Sequence, residues 1–254
     1  MAKSARFIFL GSTASMPNAQ LDSFYMVLEG TKDGAILVDC GGSPLHRLMK
    51  ANVDPLSVKG MLLSHHHPDH LYGLPYLLQG LWLAGKRDPF HIWAPSEACQ
   101  VVSNLLDVWD WKEFEGFAGV ICHPVAPREG VKVMENADFE VTATPVKHLI
   151  PTLAFRIRSK VSGRAVVYSG DTEPCETLER LAKGAYILIH ESTGSYKGHS
   201  SASQAGEIAH RSRVKRLILA HFDPFADPEE MLAQARKAFG GPVELARDGA
   251  VYYF

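Results

Sequence analysis

The sequence predicts an α+β fold in which two mixed β-sheets pack face to face with helices on the outside. Two observations carry this. Strand-length apolar runs recur along the chain, in places following one another as meanders and elsewhere alternating with helical segments. Run 58–63 is apolar at almost every position, as expected of a strand buried on both faces. With 254 residues, 46% of them hydrophobic, the chain can bury a sizeable core without disulfide staples, in one large domain or two small ones.

Residues 5–10, 24–28 and 35–38 read as the first three strands. A helix follows over 44–50, with Ser43 as its N-cap and Pro44 at the first helical position, where a missing N–H is tolerated. Strand 58–63 runs into Ser64-His-His-His-Pro-Asp-His70, and 74–83 reads as a buried helix. Beyond it, 90–93 is a strand, 96–108 a helix, and 120–125, 131–134 and 139–144 are strands. The second half continues with strands 153–157 and 165–168, a helix near 175–182 and strand 185–189. Helix 203–211, strand 216–219 and helix 228–239 follow, and strands 243–245 and 251–253 close the chain.

Composition excludes several classes of function. Lys plus Arg total 26 against 28 for Asp plus Glu, a net charge of −2, which excludes a broadly basic nucleic-acid-coating protein. Disorder, a collagen repeat and a disulfide-rich miniature scaffold are excluded as well. No apolar run reaches membrane-spanning length, and the apolar stretch near the N-terminus is too short for a signal-peptide core. A cytoplasmic setting without a membrane partner is therefore expected. The four cysteines, Cys40, Cys99, Cys122 and Cys175, form no C-x-x-C pair and are expected to be reduced thiols.

The chemistry is concentrated in His65-x-His67-x-Asp69-His70, four potential ligands within six residues at the end of a buried strand. Imidazoles at i and i+2 can converge on one ion from a tight loop, and the following Asp and His can serve a second. Zn²⁺ and related borderline metals accept this mixed nitrogen and oxygen set. Pro68 and Gly73 suit a rigid turn, and His66, out of register with the others, reads as a non-ligand. Three further candidates follow strands: His148, Asp171 in Ser169-Gly-Asp-Thr172, and His221 in Leu217-Ile-Leu-Ala-His221. A carboxylate such as Asp171 has two oxygens and can bridge two cations, which relieves their mutual repulsion.

In that order, these motifs resemble the metallo-β-lactamase superfamily over nearly the whole chain. The resemblance implies an αββα four-layer sandwich, one hydrolase domain over residues 1–254, with a two-metal site at one edge. It implies that His65, His67 and His148 hold one divalent ion and that Asp69, His70 and His221 hold the other, with Asp171 between them. Zn is the metal it implies first, with Mn or Fe as alternatives.

Val38-Asp-Cys-Gly-Gly42, the run into the His cluster, His190-Glu-Ser-Thr193 and Gly198-His-Ser-Ser201 resemble ribonuclease Z and its phosphodiesterase relatives. That resemblance implies a relay in which Glu191 fixes His199, and His199 donates a proton to the leaving oxygen. A carboxylate that sets an imidazole's tautomer and raises its basicity suits that role. Two departures set the chain apart. The long tRNA-gripping arm of ribonuclease Z would fall between His148 and Asp171, where 149–170 leaves room for little more than a strand hairpin. The basic loop after the first strand maps to 12–22, which holds no Lys or Arg. Phosphate binding through counterion release needs several cationic contacts. A small phosphodiester or short nucleic acid is therefore expected as substrate rather than full-length tRNA, and relatives suggest a homodimer.

The expected reaction is phosphodiester hydrolysis by a metal-bridging hydroxide, with Asp69 accepting or orienting its proton. The rival is a lactone, thioester or carboxyl-ester hydrolase on the same site, for which Tyr72, Tyr168 or a loop tyrosine would supply an oxyanion donor. A di-iron redox centre is disfavoured, because it needs carboxylate-rich ligation and position 67 is His. A metal-stabilised binding protein is disfavoured by the complete ligand set. Asp39 is either an acceptor orienting a metal-bound imidazole or a turn-capping residue. The aromatic, acidic stretch 107–119 either walls the substrate pocket, packs against a second subunit or packs on its own core. Residues 12–17 form a candidate pocket-edge loop, and the cationic run 210–216 reads as a solvated face.

Overall fold

The computed structural model describes residues 4–254, so the first three residues of the N-terminal segment lie outside the described residues. One seven-stranded sheet contains β1 (Arg6–Gly11), β2 (Tyr25–Glu29), β3 (Ala35–Val38), β4 (Val58–Leu62), β5 (Phe90–Ala94), β6 (Val120–Pro124) and β14 (Val251–Tyr253), in the order β14-β1-β2-β3-β4-β5-β6. The other contains β7 (Val131–Glu135), β8 (Phe139–Val146), β9 (Thr152–Ser159), β10 (Ala165–Tyr168), β11 (Ile187–Glu191), β12 (Leu217–Ala220) and β13 (Val243–Leu245), in the order β13-β12-β11-β10-β9-β8-β7. Both sheets are mixed. The first turns parallel from β3 to β6, the second from β10 to β13.

Helices cover the outer faces. α1 (Pro44–Lys50), α3 (Leu74–Leu83) and α4 (Ser96–Val108) lie on the first sheet. α5 (Glu176–Ala182), α6 (Ala202–Arg211) and α7 (Pro228–Phe239) lie on the second, and α2 (Pro68–Leu71) is a single turn. The strands alternate between the two layers they touch. Phe7, Phe9, Met26, Leu28, Ile36 and Val38 face the second sheet, while Ile8, Leu10, Val27 and Leu37 face the helices. Both faces are dry, which is why these strands read as continuous apolar runs instead of alternating ones. This is the two-sheet arrangement flanked by helices that the sequence predicts.

Two expectations are corrected. Ser43 stands at the N-cap of α1 but its hydroxyl makes no capping bond, so Pro44 alone sets that start. The cysteines are not all reduced: Cys99 and Cys122 form a disulfide, with Cα atoms 5.8 Å apart. They lie 23 residues apart, and only the packing of α4 over β5 and β6 brings them together, so no spacing motif reveals the pair. Cys40 and Cys175 are free. Among the described residues no helix is long and apolar enough to cross a membrane.

The sheets are also tied by a carboxylate. Asp138, just ahead of β8, accepts from the backbone N–H groups of Thr31, Lys32 and Asp33 and from the Thr31 hydroxyl, in the turn between β2 and β3. Burial works against its charge, but those donors hold the carboxyl below its ordinary value. We predict that Asp138→Ala costs about 2–3 kcal/mol at pH 7. A carboxyl depressed on folding stabilises fully above its unfolded pKa and loses that contribution as pH falls through the folded value. The gap between wild type and Asp138→Asn in urea unfolding therefore narrows as pH drops below about 4.

Candidate metal centre

The C-terminal ends of β3, β4, β8, β10, β11 and β12 meet at one rim of the sandwich. Side chains presented there converge, as ligand-binding residues do beyond the carboxyl ends of strands in open α/β sheets. β4 delivers His65 and His67, and α2 carries Asp69 and His70 on one helical turn where the sequence suggested only a rigid turn. β8 leads to His148, β10 to Asp171 and β12 to His221. The 40–42 loop packs so closely beneath α2 that a Cβ on Gly41 would lie 1.8 Å from the Asp69 carbonyl oxygen.

All seven of these residues come together. One ligand atom each from His65, His67, His148 and Asp171 lies within 4.8 Å of the rest, as do those of Asp69, His70 and His221. Asp171 stands between the two groups, its Oδ2 3.5 Å from His70 Nε2, 3.8 Å from His65 Nε2 and 4.0 Å from His148 Nε2. Asp171 also falls within the same distance of His199 and His221. His66 joins neither group.

The hydrogen-bond network assigns the imidazole tautomers. Ser64 Oγ donates to Asp39 Oδ2 at 2.8 Å, so it accepts from His65 Nδ1 at 3.0 Å. His70 Nδ1 donates to Asp39 Oδ2 at 2.8 Å, and His148 Nδ1 donates to the Gly198 carbonyl at 2.7 Å. Thr193 Oγ1 donates to the His221 carbonyl at 2.8 Å and accepts from His221 Nδ1 at 2.9 Å. In a neutral ring, each of these leaves Nε2 as a bare lone pair.

Those lone pairs face other acceptors. His70 Nε2 lies 3.2 Å from His221 Nε2, and His221 Nε2 is 3.2 Å from Asp69 Oδ2. Asp171 Oδ1 is buried with no partner. Acceptors packed together in a dry pocket need positive charge among them, and this nitrogen and oxygen set is one that divalent metals accept. Carboxylates draw charge onto two of the rings: burial works against it, but Asp171 with Asp39 raises His70, and Asp171 with Asp69 raises His221. Burial works against the Asp171 charge, yet His221 and His70 hold its carboxyl well below the usual value. Burial and the neighbouring His70 push the His65 imidazole well below its ordinary value.

Glu191 and His199 complete the rim. Strand β11 runs two residues beyond the sequence expectation and ends on Glu191, which is fully buried rather than exposed at a strand end. Its Oε1 accepts from Thr172 N, Ser200 N and His199 Nδ1, the last at 3.1 Å, and its Oε2 accepts from Thr193 N. Burial raises the Glu191 carboxyl, with His199 pulling against it. His199 Nδ1 also lies 3.9 Å from Asp171 Oδ2. A Cβ on neighbouring Gly198 would sit 2.9 Å from His148 Nδ1, so the close approach that lets Gly198 hold His148 requires glycine.

Of the two readings of Asp39, the structure selects the orienting one. Its carboxylate is fully buried and accepts from His70, from both Ser64 N–H and O–H, and from Tyr168 at 3.1 Å. Tyr168 is thereby spent, which overturns its assignment as an oxyanion donor. Two contacts escape sequence reasoning. Ser15, within the 12–17 loop, donates to Asp69 Oδ2 at 2.8 Å, and Thr193 holds His221. Both are ordinary hydroxyls with nothing in their spacing to single them out. Asp39 and His221 adopt left-handed backbone conformations, φ 58° and 47°, a strain that clusters at functional sites.

Within the 107–119 stretch, Trp111 packs inward against Phe114 and Phe117, the own-core reading, whereas Trp109 is half exposed. The 210–216 run is a solvated face whose Arg211 and Arg216 pair with Glu179, Glu207 and Glu244.

Removing the outer partner of a metal-ligating histidine typically costs 10- to 100-fold in metal affinity. Asp39→Ala should accordingly weaken metal retention by about that factor in competition with a chelator. Retention equal to wild type would show that His70 needs no such support.

Comparison with known proteins shows the family. Residues 35–222 match the β-lactamase superfamily domain. Ribonuclease Z of Ignicoccus hospitalis is 30% identical over an alignment that covers 93% of this chain and 94% of that protein. Ribonuclease Z of Methanothermobacter thermautotrophicus is 26% identical and covers 91% of each. Among solved structures, the metallo-β-lactamase fold protein YhfI of Bacillus subtilis aligns over 99% of this chain and all of its own, with a TM-score of 0.84 at 21% identity. The short form of human tRNase Z aligns over 97% of this chain and 98% of its own, with a TM-score of 0.78 at 24% identity. These two structures share the fold. With the family match and the Ignicoccus relative, the sandwich and its rim of histidines and aspartates show that the chain belongs to the metallo-β-lactamase superfamily, as a ribonuclease Z-like metal-dependent hydrolase.

Proposed function

We propose that this chain is a binuclear phosphodiesterase acting on a compact phosphodiester. His65, His67 and His148 hold one divalent ion, Asp69, His70 and His221 hold the other, and Asp171 lies between them. Zn²⁺ suits the donor set best, with Mn²⁺ or Fe²⁺ as alternatives. The observation that carries the reading is the Glu191–His199 pair, held at 3.1 Å beside Asp171 in a rim of inward-facing imidazole nitrogens. Hydrolysis of an unactivated diester needs a proton delivered to its leaving oxygen, and this pair is built for that delivery.

When bound, two divalent ions polarise a phosphoryl oxygen and bring a water's pKa toward neutrality. The chain's own groups then divide the remaining tasks. Asp69 offers Oδ2 as a proton acceptor at the rim, oriented by Ser15. Glu191 occupies His199 Nδ1, which leaves Nε2 as the ring position able to donate to the leaving oxygen. Burial works against charge on His199, but Glu191 raises its pKa, which favours the protonated ring that a general acid requires.

Two features support a small substrate. Between His148 and Asp171 the chain forms only β9 and β10, an antiparallel pair with no extended arm. Arg47 pairs with Asp22 of the 12–22 loop and with Asp248, and is committed to the protein rather than to a polyanion.

The protein loaded separately with zinc and with manganese should cleave an activated aryl phosphodiester, and Asp69→Ala should abolish that cleavage. Turnover of a matched aryl carboxyl ester without the diester would overturn the phosphodiesterase reading. His199→Ala should slow diesters with alkoxide leaving groups by about 10²- to 10⁴-fold, and an aryl diester far less, because nitrophenolate leaves without a proton. Equal losses on both would remove the general-acid role from His199.

A further inference from the structure

One surface feature is unused by the chemistry above. From Pro68 to Leu83 the chain is nearly continuous helix, interrupted only at Tyr72 and Gly73, both of which keep helical dihedrals. Tyr72, Tyr76 and Gln79 therefore fall at i, i+4 and i+7, on a single stripe. The stripe starts three residues after Asp69, at the residue that ends the helical turn α2. Trp109, at the C-terminal end of α4, faces this stripe, and together they line a groove of about 330 Å³ with Pro75, Trp111 and Phe114 beneath.

Tyr72, Tyr76 and Trp109 are 51%, 59% and 48% exposed. Large rings left half in water carry an unused hydrophobic and stacking capacity. Phe114 and Trp111 stack on one another at 4.6 Å, and Trp82 meets Phe114 edge-on at 4.8 Å, so the groove has a fixed floor. Its volume is at the small end of the range for small-molecule sites. Among the described residues its lining carries no cationic side chain. What it offers is flat π-surface, with one side-chain amide, Gln79, able both to donate and to accept. Tyr72, at the near end of the groove, directly follows the helical turn α2 that carries Asp69 and His70.

We propose that Tyr72, Tyr76 and Trp109 form a stacking subsite for the nucleobase of a nucleotide phosphodiester. This rests on the phosphodiesterase reading and narrows it to nucleotide substrates. Aromatic stacking accepts any base, so the subsite selects for the presence of a base rather than for its identity.

The test compares two diesters with the same leaving group, thymidine 5′-(p-nitrophenyl phosphate) and methyl p-nitrophenyl phosphate, on the metal-loaded protein. The proposal expects kcat/KM to favour the nucleoside diester, and that preference to fall about tenfold, mainly through KM, in Tyr76→Ala and in Trp109→Ala. Trp109→Phe should restore most of it. A preference unchanged in both alanine variants overturns the proposal. A second measurement needs no turnover: thymidine 5′-monophosphate should quench tryptophan fluorescence where ribose 5-phosphate does not, with affinity about tenfold weaker in Tyr76→Ala. If neither diester is cleaved, the phosphodiesterase reading fails, and quenching alone decides whether the subsite binds bases. If the alanine variants instead convert a dimer to a monomer in sedimentation, with preference and quenching unchanged, the face is a subunit contact and the proposal falls.

Discussion

The site depends on one buried carboxylate. Asp39 stands at the end of β3, fully enclosed, and takes hydrogen bonds from Ser64, His70 and Tyr168. Ser64 belongs to the same sheet, His70 to the helical turn above it, and Tyr168 to the opposite sheet. A buried charge is tolerated only where donors replace the water it has lost. Here every donor is also a positioning element: Ser64 in turn holds His65, Tyr168 ties the second sheet to the first, and His70 is turned toward His221. The carboxylate thereby converts a solvation requirement into the alignment of two groups of candidate metal ligands.

The sandwich supplies the rest of the constraint. Because both faces of the central strands are dry, the strands themselves have no surface left for chemistry. Polar side chains are admitted only where strands end, and the ends of β3, β4, β8, β10, β11 and β12 coincide at one rim. Asp171, His221 and Glu191 come from the second sheet and His65, His67, Asp69 and His70 from the first, so the ligand cluster straddles the seam between the layers.

Glu191 plays the same part on the other side of the rim. Its two oxygens accept from Thr172, Thr193, Ser200 and His199, which joins three loops to the end of β11. The loop that carries His199 also brings the Gly198 carbonyl to His148. The positions of His199 and His148 are thus fixed by one short segment.

Much of this was legible in the sequence. Helices 44–50, 74–83, 96–108 and 228–239 match the structure residue for residue, because proline starts and apolar periodicity are local properties of the chain. The ligand candidates were legible too, since histidines and aspartates stand at the ends of apolar runs, where a sheet must expose them. Pairings between distant segments were not legible. Cys99 meets Cys122 only because α4 packs over β5 and β6, Ser15 reaches Asp69 only because the 12–22 loop folds across the rim, and Trp109 and Trp111 part ways only because one side of that turn is covered. The sequence by itself determined which residue types stand at strand ends, because periodicity and turn chemistry act over a few neighbouring residues. Only the tertiary structure decided which nitrogen of each imidazole faces inward, because that depends on Asp39, Gly198 and Thr193, donors and acceptors brought from elsewhere in the chain.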